Sequence, residues 1–235
     1  MDIVYILGSG SVWENNELRY SLRSVAKNIS DVGKIFIVGE FPEWLQNVTH
    51  IPCPDTYKTK WRNAYTKVLL ACENPNLSDD FLLMNDDFFV LKPIEAESYP
   101  YYFSSVIHKT KGYRHARFLT SPILTANFLK LRSGNFFSFA VHRPIRLNKN
   151  LYLNMPRPDL SMAGFSPRSL YGNYYNVHGV KCFDKTLTPL SNQNRIESII
   201  GDRTDIGIFS ETARSSIFRK WINSKFPEPS PYEKE

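Results

Sequence analysis

The chain has few cysteines, no long apolar run and none of the short motifs that mark common hydrolases. Its three cysteines, Cys53, Cys72 and Cys182, are odd in number and widely spaced. That suits free thiols in a reducing compartment better than a disulfide framework, and no zinc-binding spacing is present. No stretch of about 18 apolar residues occurs, so no membrane span is predicted. Met1-Asp2-Ile3-Val4 enters an apolar segment without the basic region of a signal peptide. These absences predict a soluble cytoplasmic protein. A Gly-X-Ser-X-Gly elbow and a His-Glu-X-X-His helix are both missing, which leaves serine and zinc hydrolases without support. Internal repeats and low-complexity tracts are missing too.

What is there suffices for one sizeable core: 235 residues, 42% hydrophobic and 14% aromatic. The net charge of +6 is spread along the sequence. It permits nucleic acid, nucleotide phosphates or an anionic surface as partners without selecting one.

The first ninety residues alternate strand and helix. Ile3–Leu7 is a short apolar run ended by Gly8-Ser9-Gly10. Leu18, Leu22, Val25 and Ile29 follow at helical spacing, with Arg19, Arg23 and Lys27 on a neighbouring stripe. Residues 34–39 read as a second strand, Pro42–Leu45 as one helical turn, and 48–51 as a third strand. Trp61, Tyr65, Val68 and Cys72 mark a second helix, and Phe81–Met84 a fourth strand. This rhythm predicts an α/β fold with a mostly parallel central sheet flanked by helices. Beyond residue 95 the pattern weakens into an irregular half with a last amphipathic helix over 211–225. One domain over 1–235 is expected, a nucleotide-binding core at 1–94 with an acceptor-side elaboration at 95–235.

In such sheets ligands bind outside the carboxyl ends of the strands. The Gly8-Ser9-Gly10 turn and Asn85-Asp86-Asp87 both fall on that edge. An Asp pair there can hold a divalent cation that bridges nucleotide phosphates; the competing reading is a solvated turn. The apolar residues on both sides of Asp86 and Asp87 weigh against the turn. His142, ahead of Arg143 and Arg146, is a candidate acid, base or phosphate contact, or else a structural histidine before a proline turn. Arg19 lies close enough to the glycine turn to reach a pyrophosphate, although basic stripes are usually solvated. The basic, aromatic-interleaved stretch 108–117 permits a nucleic-acid contact.

Several stretches, in order, resemble the Stealth proteins: "DIVYILGSGS", "NELRYSLRSVAKN", "KIFIVGEFPEWLQNVTHI", "LSDDFLLMNDDFF", "VHRPIRLNK" and "KFPEPSPYE". That family comprises bacterial capsular polysaccharide phosphotransferases and the lysosomal-enzyme N-acetylglucosamine-1-phosphotransferase. The resemblance implies a glycosyltransferase-A-like core, a divalent metal (Mn²⁺ or Mg²⁺) at Asp86 and Asp87, and a UDP-sugar donor. By position it matches Asp86 and Asp87 to the family's acid motif, His142 to its His-X-Pro element, and Glu17, Arg19 and Arg23 to the segment after the first strand. The expected catalytic residues are then Asp87, His142 and Arg143, and the expected donor contacts are Gly8, Ser9, Glu17, Arg19 and Arg23. The chain departs from the family where Ile6-Leu7-Gly8-Ser9 replaces a Thr-Trp-Val-Asn-like opening, and in its basic Lys60–Lys67 segment. The expected function is transfer of a sugar or sugar-1-phosphate to an acceptor hydroxyl, with a glycan as acceptor. The alternatives are a glycosyltransferase acting on modified bases of DNA and a non-catalytic nucleotide- or nucleic-acid-binding module.

Overall fold

The computed structural model describes residues 1–104, 120–130, 136–157, 165–182 and 193–234. Its centre is a five-stranded sheet in the order β3-β2-β1-β4-β7, built from β1 (Asp2–Leu7), β2 (Ile35–Gly39), β3 (Thr49–Ile51), β4 (Asp80–Asn85) and β7 (Ile145–Asn148). Neighbours pair in parallel except β7, which runs antiparallel to β4. The expected mixed α/β fold with a mostly parallel, helix-flanked sheet is what the chain forms.

The central strands are apolar on both faces because helices cover both. Ile3, Tyr5 and Leu7 share one face with Ile35, Ile37, Leu82 and Met84, and pack against Leu18, Leu22 and Val25 of α1 (Asn16–Asn28). Val4, Phe36, Val38, Phe81 and Leu83 share the other, against Tyr65, Val68 and Cys72 of α2 (Lys60–Glu73). Such two-sided burial explains why these strands read as unbroken apolar runs rather than as alternations. Helix α1 also serves a shorter strand, β5 (Phe88–Val90). Ser21 Oγ donates to the Phe88 carbonyl at 2.5 Å, Asn28 Nδ2 to the Val90 carbonyl at 2.7 Å, and Ser24 Oγ accepts from the Val90 amide at 3.0 Å. Polar residues on a buried helix face thereby satisfy backbone groups that the central sheet leaves unpaired.

The second half adds a 3₁₀ turn at Ala96–Ser98, β6 (Tyr102–Phe103), α3 (Thr120–Lys130), α4 (Lys149–Asn154) and α5 (Pro167–Tyr174). It continues with β8 (Val180–Lys181), α6 (Gln193–Ile200), β9 (Asp205–Gly207), α7 (Ser210–Ala213) and α8 (Ser216–Lys225). The single helix expected over 211–225 is two. Ser215 breaks it: its Oγ accepts from the Phe218 amide at 3.4 Å and caps a new helix. Pro42–Leu45 forms a turn rather than a helical segment, closed by the Leu45 amide on the Pro42 carbonyl at 3.1 Å.

Candidate functional site

Strand order fixes where a ligand can enter. The chain winds outward from β1 through β2 to β3, then returns to place β4 on the other side of β1. The carboxyl ends of β1 and β4 therefore flank the point at which the winding reverses, where crevices form in open α/β sheets. A cavity of about 330 Å³ occupies that point. Its walls bring together Gly8, Ser9 and Gly10 after β1, Glu17 of α1, Lys60 and Lys67 of α2, Asp86 and Asp87 after β4, and Phe209 and Ser210 at the start of α7. Residues some eighty positions apart in sequence line one cavity because Ile6 pairs with Asn85 across the sheet.

The glycine loop is held from below. Lys67, 3% exposed, donates to the Leu7 carbonyl at 2.7 Å and pairs with Asp55 at 2.5 Å, and Asp55 accepts from the Ser9 amide at 3.3 Å. A Cβ on Gly8 would stand 2.9 Å from Asp55 Oδ2, so only glycine lets that carboxylate approach. The loop continues through Ser11, whose Oγ accepts from the Trp13 and Asn15 amides at 3.2 and 2.8 Å and donates to Glu17 at 2.8 Å. Glu14 and Asn15 both adopt left-handed backbone, φ 55° and 58°. Two such non-glycine residues in succession cost of order 1–3 kcal/mol each, and the Ser11–Glu17 contacts hold them there.

The acid pair sits on the opposite wall in an electrostatically unfavourable setting. Burial first, and then the neighbouring Asp87 and Glu17 charges, raise the Asp86 carboxyl to about 8. Burial also raises Asp87, to about 6, against the opposing pull of His142 and Arg168. The pair thus titrates in two steps across the neutral range. One Asp87 oxygen, Oδ1, is buried without a hydrogen-bond partner. The cations nearby are Lys60, whose charge acts on Asp86, and His142 and Arg168, which act on Asp87.

Arg168, in the first turn of α5, went unnoticed in the sequence. It is 6% exposed and donates to Asn85 Oδ1 at 3.0 Å, to the Val141 carbonyl at 3.1 Å and to the Arg143 carbonyl, with its guanidinium over Phe88 at 4.9 Å. It is the buried counter-charge behind Asn85-Asp86-Asp87. The signal present was Ser166-Pro167, a capped helix start with proline in its first turn. Sequence spacing gave no hint of the strand it would face.

The other anticipated residues divide. Gly8, Ser9, Glu17, Asp86 and Asp87 line the cavity. His142 stands beside Asp87 but outside the cavity wall, its ring packed edge-on to Phe88 and Phe209. A Cβ on Gly207 would come within 2.4 Å of the His142 Cβ, so glycine on β9 permits this approach. Arg143 points elsewhere: Nε pairs at 3.3 Å with Asp205, which is fully buried and also accepts from Tyr99 Oη at 2.8 Å. A catalytic assignment does not fit that position, because a buried carboxylate demands the guanidinium. Arg19 and Arg23 likewise turn away from the cavity. Arg23 makes a bidentate pair with Glu233 at 2.8 and 2.7 Å and donates to the Phe226 and Pro227 carbonyls, while Arg19 lies over Trp44 and 3.8 Å from Glu233. Neither reaches a donor pyrophosphate, because a carboxylate and free carbonyls of the C-terminal segment draw them to the opposite side of α1. The basic stretch 108–117 lies outside the described residues.

Residues 11–108 match the family model described as Stealth protein CR2, conserved region 2. Over that region the chain resembles the Stealth proteins. The region takes in α1, α2 and β4, and with them Glu17, Lys60, Asp86 and Asp87. A capsular polysaccharide phosphotransferase of Actinobacillus suis is 28% identical over 185 residues, which is 68% of this chain and 49% of that protein. One from Haemophilus influenzae is 33% identical over 127 residues, 48% of this chain and 35% of the other. The chain spans about half the length of the curated relatives it matches. Among solved structures, the glycosyltransferase GlyE of Streptococcus pneumoniae aligns over all of this chain and 65% of its own, with a TM-score of 0.43 and 9% identity.

Whether the acid pair suits a metal can be judged from its donors. Two adjacent carboxylates, one with a partnerless buried oxygen, and the nearby Glu17 charge offer hard oxygen ligands in a cavity with room for more. Among the described residues no group of three or more His, Cys, Asp and Glu side chains forms a ready-made cage. A Mg²⁺-type ion needs none, since it keeps several waters and takes one or two carboxylates plus substrate phosphates. The residues fit such an ion.

Proposed function

We propose that the chain is the donor-binding and catalytic part of a transferase that moves a sugar-1-phosphate from a UDP-sugar to an acceptor hydroxyl, with a glycan as acceptor. One observation carries the reading: a pair of carboxylates, held at raised proton affinity, faces the glycine loop and the basic start of α2 across one cavity at the sheet's switch point. The names of the relatives, capsular polysaccharide phosphotransferases, support the transferred group.

Asp86 and Asp87 would hold the divalent metal, which supplies positive charge to the diphosphate and its leaving group. Lys60, exposed at the first turn of α2 where the helix dipole favours anions, adds an ammonium for the same phosphates. Lys67 and Asp55 position the Gly8-Ser9 backbone, whose close approach leaves space for the nucleotide. Ionised Asp87, with His142 and Arg168 behind it, is the group placed to accept the acceptor's proton. His142 is then a positioning residue that keeps this carboxylate charged. In the transfer the acceptor oxygen bonds to the β-phosphorus, the bridging P–O bond breaks, and UMP leaves.

The test is incubation with Mn²⁺ or Mg²⁺ and UDP-sugars, followed by identification of the released nucleotide. UMP is expected, and UDP would show transfer of the sugar itself. In parallel, metal plus UDP at a hundredfold excess over Kd should stabilise the fold by about 2.7 kcal/mol, and Lys60→Ala should weaken UDP binding roughly tenfold with the melting temperature unchanged. Absence of both turnover and UDP-dependent stabilisation refutes the proposal. Stabilisation without turnover, unchanged by Asp87→Asn, points to a binding module.

A further inference from the structure

Phe209 is out of character with its surroundings. Among the described residues it is the one aromatic ring lining a cavity otherwise walled by small aliphatic, glycine, serine, amide, carboxylate and lysine side chains, yet 43% of its surface remains accessible. Leaving a phenylalanine open forgoes part of the stabilisation that burial would supply. Its position is nevertheless fixed. The Phe209 carbonyl accepts from the Thr212 and Ala213 amides at 2.9 and 3.1 Å, which starts α7. Its ring meets His142 edge-on, with centroids 5.3 Å apart at 68°. The preceding residue, Ile208, donates its amide to the Asp87 carbonyl at 3.1 Å. The ring is therefore tethered to the segment that carries the acid pair.

We infer that Phe209 is the platform on which the pyranose ring of the donor sugar stacks. This rests on the donor-binding reading above. The face of an aromatic ring carries partial negative charge. A pyranose presents C–H groups of slight positive charge on its faces, while its hydroxyls project around the rim and stay hydrated. A nucleobase could also cover an aromatic ring, but the base lies beyond the diphosphate and ribose. The sugar is bonded directly to the phosphate that a cation at Asp86 and Asp87 would hold, and Phe209 directly follows Ile208, whose amide donates to the Asp87 carbonyl. Proximity therefore selects the sugar. Because His142 packs against the same ring, the residue that supports Asp87 also steadies the platform.

Calorimetric titration with Mn²⁺ present, comparing UDP with UDP-glucose and UDP-N-acetylglucosamine, tests this directly. Phe209→Ala should leave UDP affinity unchanged and weaken at least one UDP-sugar by about three- to tenfold, the scale of an aromatic contact. Phe209→Trp should restore it. Equal loss for UDP and UDP-sugars would put the base on the ring and overturn the inference. Indifference of every ligand to Phe209→Ala would overturn it while leaving donor binding intact. If the unaltered protein binds neither UDP nor UDP-sugars, the donor reading fails and this inference with it.

Discussion

Replacing Asp86 by Asn should make the protein more stable and, at the same time, unable to hold a metal. An unfolded chain binds a proton at an aspartate only below about pH 4, whereas burial lets the folded protein keep one up to about 8. Across that window the native state binds more protons than the unfolded state, so stability falls as pH rises. At pH 7.5 the full shift corresponds to a ceiling of about 5 kcal/mol. The Asp86 residue keeps part of its surface in a cavity open to water, and screening reduces the penalty to about 2 kcal/mol. An uncharged Asn of the same shape escapes it. Thermal unfolding of metal-free protein should then show Asp86→Asn melting roughly 4–8 °C above the unaltered chain at pH 7.5, with the gap closing towards pH 4. Added Mn²⁺ should raise the unaltered protein and not the variant, and more strongly at pH 8 than at pH 6, because the ion needs both carboxylates ionised. A variant that melts no higher than the parent at pH 7.5, or whose advantage is the same at pH 4, would refute the idea that the acid pair is charge-frustrated.

Asp87→Asn should gain less, since His142 and Arg168 would lose the charge they face. Arg168→Ala should cost about 3–5 kcal/mol in urea unfolding, because removing a buried cation strands the acceptors it serves; Arg168→Lys should rescue little of it, and a loss under about 1 kcal/mol would contradict the assigned role. For the Arg23–Glu233 pair, each single alanine variant should cost about 2–4 kcal/mol and the double variant little more than the worse single. Additive losses would mean that the two side chains act independently. Glu233 has the opposite pH sign to Asp86. Burial alone would raise its carboxyl, but the bonds from Arg23 and Ser230 prevail and hold it below the ordinary range, so its contribution is present at neutral pH and lost on acidification.

The half of the fold that could be read from the residues is the half in which apolar periodicity and strand order carry the information. β1, α1, β2, α2 and β4 stand where their patterns place them, since each buries a regular face against one continuous core. The meeting of the glycine turn with Asp86 and Asp87 was legible for the same reason, because parallel topology puts both at one edge. What stayed hidden depends on distant segments. Arg19 and Arg23 looked like a cationic stripe near a phosphate site, and nothing in their neighbourhood signals a carboxylate 210 residues away. Arg143 looked like a catalytic neighbour of His142, but it pairs with Asp205 on β9. Arg168 and Phe209 arise in the irregular half, where no periodicity announces which side chains turn towards the strands.

The Arg23–Glu233 latch has a consequence for synthesis. At about 5–20 residues per second, the carboxylate that completes this pair emerges roughly 10–40 s after the arginine it binds. For that interval the nascent helix carries a guanidinium with no mate, and the helix face turned away from the cavity has no lid. Contacts spanning most of a chain slow folding because so much polymer must be drawn together before any reward is gained. Chaperone occupancy on the ribosome should therefore persist until the segment around Glu233 has emerged.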